Sequence, residues 1–279
     1  MNKTLINIDF NNSPVDFWRF ANFSRHNKIP SHIIFEQALE KGLIEDSKKN
    51  LLERFIKFIK ENLKDFKSQL YQDIFAAFIV KDKYEKTFLE FGATNGIHLS
   101  NSYTLENNFL WSGVLSEPDP QWFDELKKNR PKTKILNKCI WKKSGEKINF
   151  FSSKTGVFST IDEFKYSDQT SMPGNSNKRN EAGTNLEVET ISLNDVIESE
   201  FSGNCPSYIS VDTEGSEFEI LRSLNFKKYR PILFTVEHNF TNMQSEIDKL
   251  MLENNYVRVF NKLTLFDAWY VSADVNDKF

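Results

Sequence analysis

Beyond Lys83 the chain alternates short apolar runs with amphipathic stretches: FLEF then SNSYTLENN, GVLSE then QWFDELKKN, ILNKCI, YISVD then SEFEILRSL, ILFTVE then QSEIDKLMLEN, and finally YVRVF and AWYVS. Few folds accept such a pattern. A parallel connection must cross back over the sheet, so strands alternating with helices give a parallel sheet with helices on both faces. No helix separates the last two runs, so the terminal strand is expected to turn back antiparallel. The expectation is an α/β fold with a mostly parallel seven-stranded sheet, six strands parallel and one reversed.

Two pieces rich in β-formers, KINFFSS and LEVETISL, flank a polar segment, 165–185, with almost no apolar anchors. A connection of that length reads equally as a mobile lid over a site or as a disordered surface loop.

The chain divides near Lys83 into an N-terminal helical segment, 1–82, and a main domain, 83–279. A short helix is expected over 32–41, closed by Gly42. Leu51, Leu52, Phe55, Ile56, Ile59, Leu63, Phe66 and Leu70 recur at three- and four-residue steps. That spacing predicts one long helix with an apolar face, while Lys57, Lys60, Lys64 and Lys67 form its solvated side.

Composition narrows the function classes. A net charge of −3 gives no general attraction to nucleic acid, and no nucleic-acid partner is expected. No apolar stretch approaches the roughly 20 residues that span a bilayer, and the polar start MNKTLINIDFNN is unlike a signal peptide, so the expected location is cytoplasmic. Cys139 and Cys205 lack metal-type spacing and read as reduced thiols.

The first chemistry-bearing stretch is FLEFGATNG, where Glu90 stands at a strand end and Gly92 and Gly96 shape the turn after it. In open α/β sheets ligands lie beyond the carboxyl ends of the strands. The turn is not GxGxxG, and Glu90 would repel a pyrophosphate, so a dinucleotide is disfavoured. Glu117 ends the second strand about twenty residues on, where a carboxylate can accept from both ribose hydroxyls of an adenosine. An adenosine ligand bearing cationic groups in place of phosphates suits both acids, and S-adenosyl-L-methionine is such a ligand.

The stretches FLEFGATNGIHLSNSYTLE, WSGVLSEPDPQWFDEL, YISVDTEGSEFEIL and FTVEHN, with SQLYQDIFAAFIV upstream, resemble the FkbM-type family of S-adenosylmethionine-dependent methyltransferases over roughly Ser68 to Tyr270. The resemblance implies a class I, Rossmann-like methyltransferase fold and methyl transfer, most often to an oxygen of a sugar or secondary metabolite. Matched residue by residue, Glu90, Gly92, Ala93 and Gly96 form the first cofactor motif, Ser100 and Asn101 the pair opening the first helix, and Glu117 the ribose acid. Thr94 and Asn95 replace the family's usual asparagine and aspartate.

Past the fourth strand come Asp212, Glu214 and Glu217, and the fifth ends in Glu237, His238 and Asn239. Adjacent strand ends should bring Asp212, Glu214, Glu237 and His238 together beside the methyl donor. Asp212 or His238 is the expected base for an acceptor hydroxyl. Alternatively Asp212, Glu237 and His238, with Glu214, could hold magnesium or manganese. Two other classes stay open: a metal-dependent hydrolase using the same groups, for which only Lys178 and Arg179 offer a phosphate-binding surface, and a non-catalytic adenosine-binding module with a protein-binding N-terminal region. The expected acceptor is a small molecule or glycan.

Overall fold

The computed structural model describes residues 30–62 and 65–276. They gather into two compact units, one of 30–62 with 259–265 and one of 65–258 with 266–276.

The smaller unit contains helices Ser31–Glu40 and Lys49–Asn62. The first is the expected short helix, followed by Gly42 at φ +67°. The two pack through Phe35 and Phe55, whose rings meet edge to face at 5.1 Å, with Leu51, Leu52, Ile56 and Ile59 buried along the predicted stripe.

The second helix is shorter than its periodicity suggested. Leu63 and Lys64 lie outside the described residues, and Phe66, Lys67 and Leu70 are not helical. Aspartates capture the donors a helix would use: Phe66 N–H donates to Asp65 at 2.9 Å, and Lys67 and Ser68 donate to Asp73 at 3.2 and 3.3 Å. Such local side-chain acceptors compete directly with helix. A new helix starts at Gln72 and runs to Val80. Sequence placed it with the N-terminal segment, but it belongs to the larger unit, where Gln72 Nε2 donates to Asp267 at 2.6 Å.

The larger unit is built on a seven-stranded sheet of β1 (Thr87–Phe91), β2 (Ser112–Ser116), β3 (Lys134–Leu136), β8 (Tyr208–Val211), β9 (Leu233–Glu237), β10 (Tyr256–Val259) and β11 (Asp267–Ser272), in the order β10-β11-β9-β8-β1-β2-β3. β1 pairs in parallel with β2 and β8, β2 with β3, and β8 with β9. β11 is inserted antiparallel to β9, the expected reversed strand. Leu89, Ile209 and Phe234 align across β1, β8 and β9 and are fully buried. Each contributes about 1.5–3 kcal/mol of hydrophobic stabilisation.

A second sheet contains β4 (Cys139–Trp141), β5 (Lys147–Ser153), β6 (Thr160–Ile161) and β7 (Gly183–Ser192), in the order β4-β7-β5-β6. The run ILNKCI, expected as one strand, is divided between the two sheets.

The polar segment after β6 is folded, with a short 3-10 turn at Asp162–Phe164 and a helix at Pro173–Glu181. Its anchor is a charge. Arg179 is only 1% exposed and donates to Phe158 O, to Asp168 at 2.6 Å and to Glu214 at 2.6 Å. The sequence offered Arg179 as exposed basic surface; it is a buried strut.

Candidate functional site

Glu90 closes β1 and is 3% exposed. Its carboxylate accepts from the Asn101 N–H at 2.7 Å, from Ser100 Oγ at 3.0 Å and from Ser102 Oγ. Burial pushes its pKa up, and the nearby Arg130 guanidinium opposes the shift. Arg130 is itself buried, donating to Gly96 O, Ser102 Oγ and Glu106. Glu90 thus fastens the start of the helix Tyr103–Phe109 to the end of β1.

Between these anchors runs the turn at Gly92, buried Ala93 and Gly96. Gly92 has φ +78°, and a β-carbon there would stand 2.0 Å from the Asp212 carbonyl oxygen. Gly96 has φ +76°, and a β-carbon would meet Leu126 and Arg130 at 2.5 and 2.7 Å. Both glycines are demanded by close packing within the protein. The first brings the β1 turn against the end of β8, so that turn and Asp212 become neighbours.

Glu117 follows β2 and is 3% exposed. One oxygen accepts the Thr94 N–H and the other the Asp119 N–H, each at 2.8 Å. Among the described residues no basic side chain pairs with it, and burial raises its pKa to about 7. Asn101 Nδ2 donates to Ser210 Oγ at 2.9 Å, while its Oδ1 is buried without a hydrogen-bond partner. Buried polar atoms are nearly always satisfied, so the Asn101 Oδ1 acceptor suits a donor group on a ligand.

Three of the expected acids converge beyond β8 and β9. Asp212, Glu214 and Glu237 each offer an oxygen within 4.8 Å of the others. The Asp212 and Glu237 carboxyl groups, at the ends of adjacent strands, come close enough to interact. Burial, then Glu217 and Asp267, raise the Asp212 pKa to about 8. Glu237 is pushed well up by burial and by Asp212, and Glu214 by burial, against the pull of Arg179. Asn239 Nδ2 donates to Glu237 at 2.8 Å and to Glu214 at 3.3 Å. Glu217 accepts from the N–H groups of Thr213 and Gly215 and holds the turn rather than joining the trio.

His238 is not in this cluster. Its Nδ1 accepts the Phe240 N–H at 3.1 Å, and its Nε2 lies 3.2 Å from Arg258 Nη2. Burial and that guanidinium depress its pKa to about 3. The trio that could hold a divalent cation is therefore Asp212, Glu214 and Glu237, without the His238 that the sequence reading had included.

Sequence reasoning missed Asp267, named Asn239 without giving it a role, and read Arg179 as basic surface. Asp267 opens β11 opposite Glu237 in the ladder, and burial raises it to about 7. Its signal was an acid preceding a reversed strand, whose first residue lands at the carboxyl edge of its neighbours. Burial drives the Cys139 and Cys205 thiols up to about 12, so neither is a ready nucleophile.

The sheet order, the reversed strand between β9 and β10, and the acids ending β1 and β2 define a class I methyltransferase fold. The family model "Methyltransferase FkbM domain" matches residues 90–258, more than half of the chain. The chain belongs to the FkbM methyltransferase family, which implies S-adenosylmethionine as cofactor.

No curated protein matches the chain. Among solved structures it is similar to methyltransferase FkbM from Methylobacillus flagellatus KT, at 12% identity and a TM-score of 0.43, covering 93% of this chain and 62% of that one. The chain thus spans less than two thirds of that relative. Precorrin-6y C5,15-methyltransferase from Geobacter metallireducens GS-15 aligns at 10% identity and a TM-score of 0.35, over 67% of this chain and 71% of that one. A fibrillarin/Nop5p complex aligns at 11% and 0.35, over 73% of this chain and 79% of the other. Among the described residues no helix is long and apolar enough to cross a membrane.

Proposed function

We propose that the protein is an S-adenosylmethionine-dependent O-methyltransferase acting on a hydroxyl of a sugar or secondary metabolite. The observation that carries this reading is the close approach of Gly92 to Asp212, which sets the turn after β1 beside the Asp212–Glu237 carboxyl pair. Glu117 and Asn101 would hold the ribose and the amino group of the donor. The bound donor supplies an electrophilic methyl carbon on a sulfonium.

Methyl transfer needs an acceptor oxygen aligned with that carbon and relieved of its proton. The donor would give its methyl carbon to the acceptor oxygen and would leave with the electron pair of the broken carbon–sulfur bond. The hydroxyl proton passes to the Asp212–Glu237 pair. The elevated pKa of Asp212 makes its ionised form a stronger base than an ordinary aspartate. A base in that position contributes roughly a hundred- to ten-thousandfold in rate.

Asp212, Glu214 and Glu237 also have the oxygen donors suited to magnesium or manganese, which would acidify the acceptor hydroxyl. The Arg179–Glu214 ion pair favours the metal-free reading, because the guanidinium already supplies a cation to the trio. It also counts against the hydrolase: buried Arg179 offers no surface for phosphate, and Lys178 is paired with Glu181.

Incubation with methyl-labelled donor and a panel of glycans and hydroxylated metabolites tests the proposal. Label in an alkali-stable ether product supports it. Donor binding without transfer to any acceptor would favour the non-catalytic binding module.

A further inference from the structure

One buried acid ties the second sheet to the loop after β2. Asp119 precedes the helix Pro120–Asn129 and is fully buried. Its N–H donates to Glu117 at 2.8 Å and, with the Thr94 N–H on the other oxygen, fixes that carboxylate. Among the described residues no basic side chain pairs with Asp119, so hydroxyl and amide donors hold it. Its Oδ1 caps the helix, accepting the Gln121 N–H at 3.1 Å. Its Oδ2 accepts from Gln121 Nε2 and from Ser159 Oγ, both at 2.8 Å.

Ser159 comes from elsewhere in the fold. It ends the turn between β5 and β6, and its Oγ also accepts the Ser153 N–H at 3.0 Å. Two further contacts lock that turn to the start of the helix. Gln121 Nε2 reaches Ser152 Oγ and Ser153 O at 3.0 and 3.1 Å. Gly156 has φ +75°, and a β-carbon there would stand 2.1 Å from the Trp122 ring, so only glycine lets the turn approach the tryptophan this closely. The path from the second sheet to Glu117 is therefore continuous, through Ser159 Oγ, the Asp119 carboxylate and the Asp119 N–H.

A carboxylate that accepts two neighbouring hydroxyls gains most when its plane is fixed beforehand. Charge-assisted hydrogen bonds are directional, and ordering a free side chain on binding costs entropy. One of the two donors that fix Glu117 comes from the turn after β1. The other is only as rigid as the Asp119 side chain, which the second sheet holds.

We propose that Ser159 is a positioning residue for the methyl donor, holding Glu117 through Asp119 so that the carboxylate accepts both ribose hydroxyls. The second sheet thereby becomes part of the donor site. The proposal rests on the methyltransferase reading and adds to it a residue that acts through Glu117.

The test is calorimetry on the full chain with S-adenosylhomocysteine and with its dideoxy analogue, which lacks both ribose hydroxyls. Wild type should prefer the ribose compound at least about tenfold, the size of one hydrogen bond to a charged group. Glu117→Ala should abolish that preference. Ser159→Ala should weaken S-adenosylhomocysteine about fivefold while leaving the dideoxy analogue within about twofold of wild type. Ser159→Thr, which keeps the hydroxyl, should restore the preference.

An equal loss of affinity for both compounds in Ser159→Ala would make the contact a structural one and overturns the proposal. So does an unchanged preference in that variant, or a wild type that binds the two compounds alike. Failure of wild type to bind either compound is a distinct result, because it removes the methyltransferase assignment itself and the proposal with it.

Discussion

Arg179 and Asn239, on segments far apart in sequence, donate to the same atom: Glu214 Oε2 receives Arg179 Nη2 at 2.6 Å and Asn239 Nδ2 at 3.3 Å. One carboxylate oxygen thus joins the folded polar segment to the turn after β9, and through Asn239 to Glu237. Arg179 places a cation where three carboxylates would otherwise face one another.

Removing that cation should be costly. Arg179→Met leaves Asp168 and Glu214 buried without their partner, a change worth about 3–5 kcal/mol. Thermal melting should register the loss, and amide exchange should accelerate across 162–181 before the sheet is affected. Combining it with Glu214→Gln, which removes one orphaned charge, should recover part of the stability. We further expect ligand pairs to slow exchange in 165–185, as a lid would; unchanged exchange with product analogue and acceptor bound would make the segment a fixed wall.

Much of this arrangement was legible in the sequence. Alternating strands and helices gave the seven-stranded sheet and its reversed strand because burial dictates that pattern, and the distance from Gly96 pointed to Glu117, which lies buried against the Gly92–Gly96 turn. Other parts were hidden for physical reasons. Arg179 lies in a polar stretch whose order comes from one buried ion pair, a signal that hydrophobic periodicity does not carry. Asp267 stands opposite Glu237 only because β11 runs backwards. His238 sits at the expected strand end, yet its ring is turned to Arg258 by contacts that spacing cannot reveal. The long N-terminal helix failed at Asp65, where side-chain acceptors outcompeted the helical ladder.

Stability should fall as pH rises from about 6.5 to 8.5. Folding raises Asp212 to about 8 and Asp267 and Glu117 to about 7, so the folded state binds more protons than the unfolded state from about pH 4 up to those values. The stability due to these acids is complete below their unfolded pKa and is lost as pH rises through the folded ones. His238 acts oppositely, since its depressed pKa removes stability only below about 6.5. Above that value the acids act alone. A loss on the order of 1–2 kcal/mol is expected, roughly 2–4 °C in Tm per kcal/mol for a chain of this size. Asp212→Asn, which mimics the protonated acid, should flatten the slope; an unchanged slope would remove Asp212 as its source.

Catalysis should separate from donor binding. Asp212→Asn should keep donor affinity within a few-fold of wild type and reduce turnover at least about a hundredfold. His238→Ala should reduce turnover less, because its ring faces Arg258 and not the carboxylate trio. Activity that falls with a chelator and returns with magnesium or manganese would assign the carboxylate trio to a metal. Normal turnover by Asp212→Asn would place acceptor activation elsewhere.

Calorimetric titration of the wild-type protein and Glu117→Ala with S-adenosylmethionine and S-adenosylhomocysteine tests the central claim most directly. Both compounds should bind wild type with micromolar Kd, and Glu117→Ala should lose about 1.5–3 kcal/mol, the range for hydrogen bonds to a charged group. Folded wild-type protein that binds neither compound would contradict the account.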